Sequence, residues 1–207
     1  MTSPPATVVP GTYSNEEQAY FTKELGKAAV PVVMIRIDEK RRVESVDAFG
    51  SPGNVSIDKM TFSYNANTIE GVLPDGTKLE LRRARSATCW VAVLKDKPKA
   101  DGSPDWHFVR DIKLHDQGGR ARVGGVASGA QEVIIRMRNV IWPPPTTNKP
   151  SIVLYIHKAD QLDRAESYSW ADPGAARIGI NLRWMQASCG IDGVEAPSQV
   201  TTTTFRG

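Results

Sequence analysis

Cysteine is scarce in this chain. Only Cys89 and Cys189 occur, far apart, and neither belongs to a C-x-x-C pair. This excludes a zinc knuckle or ribbon built on closely spaced cysteines. Two roles stay open for them. They are buried thiols acting as small hydrophobes, or one disulfide tying a central strand to the last one, which requires an oxidising compartment. Histidine is equally sparse. His107, His115 and His157 form no i, i+4 pair of the zinc-protease kind, so no metal site is expected. Walker loops, G-x-G-x-x-G and G-x-S-x-G are missing, which removes the common phosphate-cradling and nucleophile-elbow chemistries. No cofactor is assigned. No apolar run approaches the roughly 20 residues of a membrane helix. The opening MTSPPATVVPG lacks the basic start and apolar segment of a signal peptide. That reading leaves either a cytoplasmic chain or one whose signal was removed before the numbering begins.

Charge of one sign is lacking as well. The 207 residues carry 26 Lys and Arg against 23 Asp and Glu, a net charge of +3. The basic residues are interleaved with acidic ones rather than gathered in a stripe, so no nucleic-acid partner is expected. With 40% hydrophobic and 24% charged residues, the composition is that of a globular domain. A chain of this length buries a sizeable core without needing staples.

What is present is mostly alternation. Residues 1–10 hold three prolines and no period, and read as an extended arm. Ser14-Asn15-Glu16-Glu17 then has the form of a capping box. Phe21 and Leu25 follow at i, i+4 spacing and Gly26 suits a helix exit, so a helix is expected over 14–25. Beyond it the period falls to two. Strands are expected at about 30–37, 42–49, 55–65, 67–73, 77–85, 87–95, 106–115, 120–124, 132–142, 151–159 and 176–188. Turn chemistry separates them, as in Pro74-Asp75-Gly76-Thr77 and Asp172-Pro173-Gly174. Residues 194–207 are polar and rich in threonine, and read as a second arm. The expected fold is mainly β: an antiparallel barrel or sandwich of about ten strands with one short N-terminal helix. It forms a single domain over 11–193.

Alternation also sorts side chains by face. In 132–142, Val133, Ile135, Met137 and Ile141 share one face, and Arg136, Arg138 and Trp142 the other. In 151–159, Ile152, Leu154 and Ile156 oppose Val153, Tyr155 and His157. If these strands pair with apolar faces matched, Arg136, Arg138, Tyr155 and His157 share a polar face. Arg183 joins them if 176–188 adds to the same sheet. Arginine forks beside Tyr and His suit a carboxylate or phosphate, so these five are the candidate ligand-binding residues. The competing reading is a solvated sheet face. Trp90, Trp106 and Trp184 lie on apolar strand faces and are assigned to the core, whereas Trp170 lies near a turn.

Gly11-Thr12-Tyr13-Ser14-Asn15-Glu16-Glu17-Gln18-Ala19, followed by an Ile35-Arg36-Ile37 strand, resembles the opening of T-type phycobiliprotein chromophore lyases. The resemblance covers residues 11–37. It implies a lipocalin-like barrel with a short helix and a ligand cavity. In that family the cavity holds an open-chain tetrapyrrole for transfer to a cysteine of another protein. No catalytic residue carries over.

Three functions follow. The first is a non-catalytic β-barrel that binds a small, partly anionic ligand. The second is a structural subunit of a virion, tail or filament, self-associating through residues 1–10 and 195–207. The third is a hydrolase or lyase using His115, in Leu114-His115-Asp116-Gln117-Gly118-Gly119, or Cys89 as nucleophile. Adjacent strand residues face opposite ways, which opposes a His115–Asp116 dyad.

Overall fold

A computed structural model describes residues 4–65 and 67–195. The expected second arm falls largely outside them. The chain builds two hydrophobic cores in succession. The first belongs to a curled six-stranded antiparallel sheet. Its strands are β1 (Gly11–Ser14), β2 (Met34–Ile37), β3 (Val43–Ser45), β4 (Thr61–Tyr64), β5 (Thr68–Val72) and β6 (Lys78–Arg83), in the order β3-β2-β1-β6-β5-β4. One residue in two points inward: Ile35 and Ile37 of β2, Ile69 of β5, Leu79 and Leu81 of β6, with Tyr13 of β1. Residues before β1 close this half-barrel. Val8 is buried in its core, Tyr13 Oη donates to Val9 O at 2.6 Å, and the Arg41 guanidinium donates to the carbonyls of Val8 and Ala6. The described part of the N-terminal arm is thus tied to its own chain.

The second core lies between two four-stranded antiparallel sheets. One is ordered β12-β11-β10-β9, the other β13-β14-β7-β8. The strands are β7 (Ser86–Leu94), β8 (Trp106–His115), β9 (Gln117–Gly125), β10 (Ala130–Val140), β11 (Ser151–Lys158), β12 (Ser167–Ala171), β13 (Arg177–Asn181) and β14 (Met185–Ile191). The inward row of β10 and β11 is Val133, Ile135, Met137, Ile152, Leu154 and Ile156, as the alternation required, except that Ile141, expected in the same row, lies beyond the end of β10 and is exposed. The inward residues pack on Cys89, Val91, Val93, Met185, Ala187 and Cys189 of the other sheet, so the two sheets share one core.

The expected β fold with one early helix is the observed one, with local differences. Residues 55–60 are not in a strand, because Ile57 and Met60 plug the half-barrel from a turn. The stretch 176–188 is a hairpin: Leu182 N–H donates to Met185 O at 2.7 Å. The turn shifts the alternation, so Met185 enters the core instead of sharing a face with Arg183. Trp90 is half-buried and meets Phe108 of β8 at 5.8 Å rather than filling the core. β1 and β12 were not anticipated. β12 was masked by its pattern, since the aromatics Tyr168 and Trp170 point to water while Ser167 and Ser169 turn in.

Of the two roles open to the cysteines, the structure shows the disulfide. Cys89 on β7 lies directly opposite Cys189 on β14, both are buried, and they are bonded. Cys89 therefore has no free thiol for nucleophilic chemistry. Two measurements check the bond. Intact protein treated with iodoacetamide under denaturing, non-reducing conditions should take up no alkyl group. Replacing both cysteines by serine should lower unfolding stability by about 2–4 kcal/mol.

Candidate functional site

The helix α1 (Glu16–Glu24) follows β1 directly, and five consecutive residues at its start each bind a different part of the molecule. Ser14 Oγ accepts from the Glu16 N–H at 3.1 Å, but the helix starts later than expected and its N-cap position is Asn15, whose side chain makes no cap bond. Asn15 Oδ1 accepts from Val33 N–H and its Nδ2 donates to Pro31 O, which staples the loop back from the helix. Gln18 Nε2 donates to Lys78 O and its Oε1 accepts from Glu80 N–H, both at 3.0 Å, which fixes the helix on β6. Glu17 does not reach back to complete a capping box. Its carboxylate instead takes Arg138 in a two-pronged pair, 2.6 Å from Nε and 3.0 Å from Nη2. Glu16 pairs with Arg136, and Arg120 Nη2 lies 3.6 Å away. The helix therefore buries Glu16, Glu17 and Ala19, while Leu25 stays 54% exposed. Its apolar spacing pointed to the opposite face.

The β10–β11 hairpin forms in the expected register. Arg136 lies opposite Tyr155, Arg138 opposite Val153, and His157 opposite Ile134. Four of the five candidate residues thus share the outer face of this sheet. Their surroundings differ from those expected of an anion site. Helix α1 covers the face, and each arginine is paired with one of its glutamates, Arg138 by two prongs and Arg136 by one, with the Arg136 Nε buried and unpartnered. Burial works against the charge on Arg138, but the Glu17 carboxylate more than offsets it and raises the guanidinium pKa. Burial pushes the His157 imidazole down, with Nδ1 3.2 Å from Arg164 O and Nε2 unpartnered. Arg183 is not in this sheet. It is exposed in the turn between β13 and β14.

In the stretch His115-Asp116-Gln117-Gly118-Gly119, Asp116 and Gly118 make close contacts with other parts of the chain. Only Ala84 and Arg85 connect β6 of the half-barrel to β7 of the sandwich. Asp116 grips that link: Oδ1 accepts from Arg85 N–H at 2.8 Å and Oδ2 from Arg85 Nε at 2.7 Å. At Gly118, with φ +84°, a Cβ would fall 1.3 Å from Glu16 Oε2. The glycine is what lets the helix's first carboxylate come in. His115 makes no hydrogen bond to Asp116. Its Nδ1 is buried without a partner, and burial lowers its pKa to about 4.

Beside the paired arginines the same face opens into a cleft of about 290 Å³. Its walls include Tyr20, Trp142, Tyr155, Tyr168 and Trp170, with Arg138 among them. Arg138 Cζ stands 3.9 Å from the Tyr20 ring centroid, and Tyr155 and Tyr168 are 6.1 Å apart. Trp170 is 72% exposed and Tyr168 64%. Trp142 also touches Phe21 at 5.4 Å and forms part of a second groove, of about 320 Å³, along α1. Among the described residues no group of three or more His, Cys, Asp or Glu is placed to hold a metal, and no helix is long and apolar enough to cross a membrane. Comparison with protein-family models, curated proteins and solved structures returns no match.

Two outcomes follow from the buried charges. Arg138→Met alone strands the Glu17 carboxylate and should cost about 3–5 kcal/mol. Pairing it with Glu17→Met should cost less than the sum of the single changes, with a coupling above about 1 kcal/mol in denaturant unfolding. For His115, the folded pKa of about 4 lies below the unfolded value of 6.5, so the unfolded chain binds the extra proton between them. Stability is fully present above pH 6.5 and falls as the pH drops toward 4, by on the order of 2–3 kcal/mol. His115→Gln should flatten that slope, and His157 contributes in the same direction.

Proposed function

We propose that the protein is a non-catalytic binding protein for a small ring-bearing ligand, seated in the aromatic cleft on the outer face of β10, β11 and β12. The observation that carries this reading is the inverted pattern of β12. A strand at a sheet edge ordinarily hides its apolar residues and wets its serines. Here Ser169 turns inward, its Oγ donating to Gly179 O of β13 at 2.7 Å, and Tyr168 and Trp170 face water. Together with Tyr155 and Trp142 they present ring faces and phenolic hydroxyls to one concavity. Amphipathic rings of this kind bury area at low entropic cost and keep a polar handle.

The ligand expected from the arginines was partly anionic. Glu16 and Glu17 already balance Arg136 and Arg138, so stacking, not charge, dominates recognition here. An acidic substituent is accommodated at the open side of the cleft, away from the paired carboxylates. The reading as a binder also agrees with the loss of Cys89 as a free thiol.

The test uses anilinonaphthalene sulfonate, a ring-bearing and singly anionic dye, titrated into native protein with fluorescence readout. Saturable binding is expected. Trp170→Ala should weaken it about tenfold, from the 1–3 kcal/mol of one lost stacking partner, while Trp90→Ala on the other sheet should leave it unchanged. Absence of saturation, or equal loss in both variants, would overturn the assignment.

A further inference from the structure

A different cleft, of about 310 Å³, lies where the half-barrel meets the sandwich. Four basic side chains from four strands line it: Arg36 of β2, Arg83 of β6, Lys113 of β8 and Arg120 of β9. None of the residues lining it is acidic. Elsewhere such cations have acidic partners, along one strand in Arg82–Glu80, between strand ends in Lys95–Asp105 and across strands in Arg122–Glu132. In the cleft the balance is poor. Arg83 makes no ion pair among the described residues. Lys113 Nζ donates to a neutral partner, Thr88 Oγ1, at 2.8 Å. Arg36 meets Glu44 at 2.6 Å, but both side chains are about half exposed, and such a pair is weak. Arg120 only shares Glu16 with Arg136, at 3.6 Å. Like charges brought together by the fold repel one another unless an anion joins them.

We infer that this cleft is an anion site for the phosphoryl group of a small molecule, either inorganic phosphate or a phosphate ester. The three arginines and the lysine come from four separate strands, so the cleft draws its donors from more than one wall. That suits a group with several oxygens in a tetrahedral arrangement better than a planar carboxylate. The cleft is rigid where it matters. Arg120 N–H is bonded to Ala48 O at 2.7 Å, which ties the β9 wall to the half-barrel wall. Gly119 backs directly onto His115, where a Cβ would come within 2.7 Å of the His115 backbone nitrogen. Phe49 forms one side, 38% exposed, and offers a ring face to the organic part of an ester. The site is independent of the aromatic cleft and shares no lining residue with it.

The experiment is calorimetric titration of the whole chain with inorganic phosphate and with phenyl phosphate, at low and at raised salt. Saturable binding of both is expected, tighter for phenyl phosphate because of Phe49, and weaker as salt screens the charges. Arg83→Gln and Lys113→Gln should each weaken binding about tenfold, as expected for loss of one charge-assisted hydrogen bond. Both side chains are exposed and carry no ion pair, so the fold should survive, and two separate variants guard against one that does not. Arg177→Gln, on exposed β13, should bind as the parent does, and so should Trp170→Ala, which separates this result from that of the aromatic cleft. No saturable binding of either probe, or the same weakening in Arg177→Gln, would overturn the inference. Binding of phenyl phosphate but not of inorganic phosphate would also overturn it, because the ring would then be the ligand.

Discussion

Two adjacent carboxylates, Glu16 and Glu17, are held out of water by three arginines of the sandwich, and the geometry of the whole molecule rests on that contact. Burying a charge costs several kcal/mol unless a partner is placed to receive it. The helix can therefore dock in one position only, with Glu17 in the fork of Arg138 and Glu16 against Arg136 over the backbone of Gly118. A greasy interface would tolerate sliding. This one does not, because any shift leaves a carboxylate or a guanidinium unpaired. The N-terminal end of a helix favours negative charge, so the first turn is a natural place for such a device.

On the other flank of the junction, Asp116 holds both the backbone and the side chain of Arg85 in the short link between the two cores. The half-barrel and the sandwich each have a complete hydrophobic core. What orients one against the other is polar and specific. Both clefts inherit their shape from this arrangement. The aromatic cleft borrows Tyr20 from the docked helix, and the basic cleft has one wall from each half. Positive charge is paired in the helix contact beside the aromatic cleft and in excess at the basic one, with Arg120 belonging to both.

Much of the fold was legible because it depends on short-range alternation. The rows Val133–Ile135–Met137 and Ile152–Leu154–Ile156 point inward as their spacing requires, and the hairpin that pairs them places Arg136 opposite Tyr155. The candidate face was therefore found, but its state was not. Nothing local distinguishes an arginine that meets solvent from one that meets a glutamate more than a hundred residues earlier. Glu17 had a plausible local partner in the cap, and the tertiary one won because its bonds are charged and buried. Trp170 lies next to the 172–175 turn as expected, but its strand was missed for a related reason: an aromatic that points to water breaks the pattern by which strands are recognised. The basic cleft was invisible, since Arg36, Arg83, Lys113 and Arg120 are each flanked by ordinary sequence and converge only through the packing of two sheets.

By itself the sequence determined the β-rich class, the early helix and the inward rows of β10 and β11 that let those two strands pair. All of these follow from periodicity over a few residues. The tertiary structure alone decided that the two cysteines meet, that the arginines of the polar face are each paired with a glutamate of the helix, that Asp116 serves the chain link, and that four cationic residues line one cleft. Those are contacts between residues distant in sequence. Their energies depend on burial and on partners that only the assembled chain brings within reach.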